Sequence, residues 1–259
     1  MQQDMDVIGN NIANINTTGF KAGVVNFGDS FSDTLEAANG ASSQIGTGVM
    51  VQDIASNFNP GAVNNTGVTT DLAISGNGFF VVQDPTTGAQ FVTQDGTFSV
   101  NASGNLVTAS GMEVMGTNGT SSTLIPVTIL PPATAAAGVT VSTFTINPQG
   151  QINAVMSDNS TATVGQVMLQ NFQDPNALIS QPGNMYSNQA NAGPIQSTPS
   201  APGSAGLGSI ESGYVEISNV DLSTEMANLI TAQRGFEANS KIVTTSDQLL
   251  QTMVNLKQG

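Results

Sequence analysis

From Asp221 to Lys257 the chain has no proline and a single glycine, Gly235, and within that stretch Leu222, Leu229, Phe236, Val243 and Leu250 recur at intervals of seven. An apolar position sustained at that interval keeps one seam of a helix turned toward a partner. Met226 and Val254 flank the seam on one side, while Ile242, Leu249, Met253 and Leu256 widen it on the other. Asn219 or Asp221 can cap the start, and Glu225 places a carboxylate where the helix dipole favours it.

At the opposite end Met1, Met5, Ile8, Ile12 and Ile15 alternate spacings of four and three, which predicts a second, shorter helix. Both stripes fit core helices of one globular domain, but most of the chain lies between them and reads as β. Leu72 and Ile74 alternate with Asp71, Ala73 and Ser75; Gly76-Asn77-Gly78 then opens Phe79-Phe80-Val81-Val82. Short strands continue through Gln90–Thr93, Thr97–Val100, Leu106–Thr108 and Met112–Met115, broken by Gly, Asn and Asp as in an antiparallel meander. A second set is expected over Leu124–Leu130, Val139–Ile146, Gln151–Met156 and Val164–Phe172, with breaks at Pro131-Pro132, Pro148-Gln149-Gly150 and Asp158-Asn159. The expected fold is mixed and mainly β, a central antiparallel domain with helices at both ends. Its parts are a discontinuous helical domain of 1–27 and 219–259, a linker stretch over 28–65, a β domain over 66–188, and a linker and return segment over 189–218. The Pro, Ser, Gly and Ala stretch from Gln189 to Gly208 is expected to be extended and mobile when alone.

Composition narrows the chemistry. Four Lys plus Arg against eighteen Asp plus Glu give a net charge of −14, and the cations are Lys21, Arg234, Lys241 and Lys257. So few cannot replace the counterions of a nucleic acid or an acidic membrane, and neither is expected as a partner. With no His and no Cys, thiol nucleophiles, disulfides, imidazole bases and the usual zinc sets are removed. Gly76-x-Gly78 opens a strand and lacks the third glycine of a dinucleotide fingerprint. Glu211 and Glu216 are five positions apart in a strand-like stretch, so they point to opposite faces and read as solvated surface. Asp84, Asp95 and Asp158 sit in turns where Asp accepts from its own backbone, outside any calcium-loop pattern. The Asn-x-Ser/Thr sites, among them Asn118-Gly119-Thr120, are expected by chance in so Asn- and Thr-rich a chain. No catalytic, cofactor-binding or metal-ligating residue is assigned, and no enzyme activity or cofactor is expected. The first residues carry two acids and no basic segment, so they do not read as a signal peptide. No apolar run approaches the roughly 18 residues of a membrane span. A secreted carbohydrate-binding β module is a competing reading, although the aromatic residues fall within strand patterns.

Three separated motifs carry a resemblance. Asp6-Val7-Ile8-Gly9-Asn10-Asn11-Ile12-Ala13-Asn14-Ile15-Asn16-Thr17-Thr18-Gly19-Phe20-Lys21 resembles the N-terminal signature of the bacterial flagellar rod and hook family. Ser212–Leu222, Ala232-Gln233-Arg234-Gly235-Phe236 through Lys241, and Thr245–Leu250 resemble its C-terminal signature, and Asp71–Phe80 with Asp95-Gly96-Thr97-Phe98 its central block. The family positions are Asn10, Asn11, Asn14, Gly19, Phe20, Asn219, Gln233 and Arg234.

The resemblance implies terminal helices that pair as a coiled coil lining a hollow tube, with the β domain outside. It implies a helical homopolymer with Met5, Ile8, Ile12, Leu222, Leu229, Phe236, Val243 and Leu250 at the assembly seam. Implied neighbours are rod, hook-cap and hook-filament junction proteins, and the implied place is the hook or basal body of the flagellum, reached without a cleaved signal peptide. Relatives carry further helical residues before the Asp6 motif, where the type III export signal lies, so a truncated or misassigned start, or a fragment, is expected. Asn219-Val220-Asp221-Leu222 and Val254-Asn255-Leu256-Lys257 resemble the hook subunit more than the distal rod subunit, the alternative.

Overall fold

A computed structural model describes residues 1–30, 32–36, 42–46, 48–118, 124–130, 140–187, 189–196, 198–204 and 206–257. The predicted Pro131-Pro132 break, the strand start at Val139 and part of the Asn118 site lie outside the described residues. The chain divides into two compact units.

The first unit comprises Met1–Ile15, Ala22–Asn57 and Val220–Gly259. It holds α1 (Gln2–Ala13), β1 (Gly23–Asp29), β2 (Ser32–Glu36), β3 (Ser42–Gly46), β4 (Val49–Ser56) and α2 (Leu222–Lys257). Both helices fall where the apolar spacing predicts them. α1 ends at Ala13, where the Asn14 amide is shared between the Asn10 and Asn11 carbonyls and the Ile15 amide reaches back only to Ile12. β1 pairs antiparallel with β4, with a bulge between Asn26 and Phe27, and β2 pairs with β3 in a nested hairpin. Strands therefore occupy much of 28–65, where composition suggests a linker. Val49, Val51 and Ile54 supply β preference that the surrounding Gly, Ser and Asp obscure.

The second unit comprises Asn16–Lys21 and Phe58–Asn219. Its first strands are β5 (Val63–Asn65), β6 (Leu72–Ser75), β7 (Phe79–Gln83), β8 (Gln90–Thr93), β9 (Phe98–Val100), β10 (Leu106–Thr108), β11 (Glu113–Thr117) and β12 (Ile125–Pro126). Then follow β13 (Val141–Ile146), β14 (Gln151–Met156), β15 (Thr161–Val167), β16 (Leu169–Gln170), β17 (Ile179–Gln181), β18 (Met185–Ser187), β19 (Ser209–Ser212) and β20 (Tyr214–Glu216). Twelve of these form one antiparallel sheet along the path β13-β14-β15-β11-β7-β8-β18-β17, with β9, β10, β12 and β16 paired beside it. Separately, β19 pairs with β6 and β20 with β5.

The sheet's centre is β7, and its unbroken apolar run is buried on both faces. Phe80 and Val82 join Leu72, Leu106, Ile152, Leu169 and Ile210 on one side. Phe79 and Val81 join Val92, Met115, Phe172 and Tyr186 on the other. Alternation at β6 is lost for a related reason: Leu72, Ala73 and Ile74 are all buried. The expected strand over Leu124–Leu130 shrinks to Ile125–Pro126. Beyond Pro126, Val127 and Ile129 are buried, and their amides donate singly to Val114 and Gly104 carbonyls. Within 189–208 the chain is mostly irregular yet tethered, since Ser200 and Leu169 exchange backbone hydrogen bonds of 2.8 and 2.9 Å. The Asp turns form as the sequence predicts: Asp84 accepts from the Thr86 amide (2.8 Å), Asp95 from Thr97 (3.1 Å) and Asp158 from Ser160 (3.0 Å).

Leu207 and Ile210 belong to the core around Phe80, and β19 is the partner of β6. A fragment limited to 66–188 loses both side chains, each contributing about 1.5–3 kcal/mol on burial. Its thermal transition is expected well below that of a 16–219 fragment; equal melting temperatures would refute this.

Candidate assembly interface

α2 begins on a side-chain cap. The Thr224 amide donates to Asp221 Oδ1 at 2.9 Å, settling the choice between Asn219 and Asp221. The same amide bond holds the Asp221 carboxyl below its usual range. Inside α2, Thr231, Thr245 and Thr252 donate their hydroxyls to carbonyls one turn back, which lets threonine sit in a helix.

With 36 residues α2 runs about 54 Å, against about 18 Å for the 12 residues of α1. Within their unit α1 packs along the first part of α2, where Ala232 is buried and Leu229 half-buried. A shallow groove there is lined by Met1, by Asp4, Val7 and Ile8 on α1, and by Glu225 and Asn228 on α2. Gly235 lets Met1 approach: a Cβ at that position would lie 3.3 Å from its Cε. Beyond Gly235 the helix is bare. Phe236 is 49% exposed, Val243 60%, Leu250 60% and Leu256 82%, and Ile242, Leu249, Met253 and Val254 are exposed beside them. Of the remaining seam positions, Leu222 is exposed, Met5 and Ile12 are half-buried, and Ile8 is buried within the unit. An isolated soluble chain rarely presents so continuous an apolar surface without a partner for it.

The family positions have separate local tasks. Asn11 is buried, and its side-chain amide both donates to the Gly23 carbonyl and accepts from the Gly23 amide, each at 2.9 Å, pinning the start of β1 to α1. Asn14 donates to the Asn10 carbonyl at 2.9 Å and closes the helix end. Gly19 has φ +65°, and a Cβ there would come within 2.6 Å of the Asp95 backbone nitrogen. Phe20 is half-buried. Asn219 donates to the Asn59 carbonyl at 3.0 Å. Gln233 and Arg234 are exposed on α2.

Glu216 corrects the sequence reading. It is 3% exposed instead of solvated, and its Oε1 lies 2.7 Å from Lys21 Nζ. Opposite faces would follow from one strand running Glu211 to Glu216, but Gly213, at φ +83°, breaks the stretch into β19 and β20. The same oxygen accepts from the Gly61 amide at 2.6 Å, Lys21 also donates to the Asn59 carbonyl at 3.1 Å, and the Gly19 amide donates to the Glu216 carbonyl at 2.9 Å. Burial, and secondarily the Glu216 charge, push the Tyr186 phenol up to about 12. One signal was available: Lys21 is the lone cation outside α2, and a lone cation among carboxylates finds one.

Among the described residues, no three His, Cys, Asp or Glu converge as a metal would require. The rings of Phe58, Phe79, Phe172 and Tyr186 stack edge to face within the second unit.

Residues 1–21 match the family model described as Flagella basal body rod protein. Residues 73–154 match the Flagellar hook protein FlgE/F/G D1 domain, and 211–256 the Flagellar basal body rod FlgEFG protein C-terminal. The chain is 38% identical to the flagellar basal-body rod protein FlgG of Bacillus subtilis, over 99% of this chain and 94% of that one. It is 35% identical to FlgG of Buchnera aphidicola subsp. Baizongia pistaciae, over 97% and 93%. The flagellar hook protein FlgE of Salmonella typhimurium is 26% identical over 401 positions, covering 98% of this chain and 96% of that one. Whole-chain similarity therefore favours rod proteins over the hook protein that the tail motif suggested. The C-terminal match spans FlgE, FlgF and FlgG alike, so that motif alone does not separate them.

Two outcomes follow from this geometry. Asn11→Ala leaves the Gly23 amide and carbonyl without their partner, and a loss of about 1–3 kcal/mol is expected, read as faster hydrogen exchange in β1 with the β7 core unchanged. The Tyr186 phenol titrates higher when folded than its ordinary 10.0, so its contribution is full below that pH and is lost as pH rises through about 12. Melting temperature should fall across that alkaline window, and Tyr186→Phe should flatten the fall.

Proposed function

The chain belongs to the family of flagellar basal-body rod and hook proteins, and on that footing we propose that it is a subunit of the distal rod. Its role in the flagellum is axial and structural. The observation carrying the reading is the uncovered length of α2. Side chains from Phe236 to Leu256 form an exposed apolar stripe, and further copies of the same chain carry the same stripe to pack against it. In this reading the stripes of successive subunits pack as coiled coils in the wall of a hollow helical homopolymer. The β unit folds without them and decorates that wall. Adjacent flagellar axial proteins cap the polymer at its two ends. The rod assignment over the hook is supported by the higher whole-chain identity to rod proteins.

Phe236→Asp and Val243→Asp test the stripe. Each places a carboxylate in the proposed contact, where an unpaired buried charge costs about 3–5 kcal/mol. Both variants are expected to stay soluble, keep the wild-type transition of the β unit, and fail to polymerise. Normal polymers from either would refute the seam. Deleting the gene separates rod from hook: electron microscopy should show basal bodies with a shortened rod. A complete rod lacking only the hook would return the assignment to the hook subunit.

A further inference from the structure

The chain passes between its two units at 15/16, 21/22, 57/58 and 219/220. On the β side, each passage lies within a few residues of the Lys21–Glu216 pair. Lys21 bonds Glu216 and the Asn59 carbonyl; Glu216 accepts from the Gly61 amide; the Gly19 amide reaches the Glu216 carbonyl; and Asn219 reaches Asn59. Asn184 ties the same loop to the end of β18 by donating to the Thr18 carbonyl at 2.7 Å. The two charged side chains are 1% and 3% exposed, and theirs is the only ion pair among the described residues.

We propose that this pair is a mechanical latch: Lys21 and Glu216 are positioning residues that hold together the segments by which the chain enters and leaves the β unit. A hydrophobic pair of similar volume would stabilise a fold as well or better, but it would not bond the backbone of the Asn59–Gly61 segment in a set direction. Tension along those segments meets charged hydrogen bonds at the edge of the β unit, where β20 ends at Glu216. The proposed purpose, resisting pull between packed subunits, rests on the rod reading; the latch itself does not.

The test uses soluble full-length chain and hydrogen exchange with mass readout, on wild type, Glu216→Gln, and the charge-free double Lys21→Met/Glu216→Leu. In Glu216→Gln, exchange over 17–21, 58–62 and 214–219 is expected to rise on the order of a hundredfold, while β7 and β14 keep their protection. The double variant should recover the melting temperature but not the protection of 58–62, because the acceptor for the Gly61 amide is gone. Uniform loss of protection across the sheet, no change in these segments, or full recovery of 58–62 in the double would each overturn the latch. If Glu216→Gln does not fold, the double decides alone. Failure of the rod reading shows separately, as wild-type chain that forms no polymer.

Discussion

A charge pair removed from water is stable only when it is complete. Lys21 and Glu216 lose their hydration together, and the loss is offset by their attraction and by the backbone groups that fill the remaining bonding positions. That requirement organises the base of the β unit. Glu216 cannot be buried unless β20 pairs with β5, which brings Gly61 to its carboxylate. Lys21 cannot be buried unless the Gly19 turn sits against Asp95, which demands a residue without Cβ. Segments nearly two hundred positions apart in sequence therefore order as one.

The parts of this fold that the sequence makes legible are those governed by local period. α2 is bounded correctly because its stripe repeats without interruption and Asp221 offers a cap. β7 stands out as a continuous apolar run, and the Asp turns follow from side-chain chemistry two residues long. What local pattern does not reveal is pairing at a distance. β20, only three residues long, has no periodic signal of its own, and Glu216 is buried by a lysine 195 positions away. The hairpin strands within 28–65 were hidden for a different reason, since their valines are scattered among residues that favour turns.

The hook and rod assignments diverge on a similar distinction between local and global information. The tail falls within a C-terminal family model that takes in FlgE, FlgF and FlgG together, so a few residues there do not tell one from another. The discrimination comes from comparison over the whole chain, 38% identity to a rod protein against 26% to a hook protein.

The double-sided burial of β7 leaves it with an ambiguity that most strands escape. A strand with one wet face resists slipping by one residue, because a slip would turn its apolar side chains to water. Phe79-Phe80-Val81-Val82 would present Phe and Val to both cores after such a slip. Its alignment must come instead from its polar end, where Gln83 lies opposite Gln90 on β8 and Glu113 on β11, and from the neighbours that flank it. Gln83, outside either core, is thus the residue that tells the central strand of the sheet where to stop.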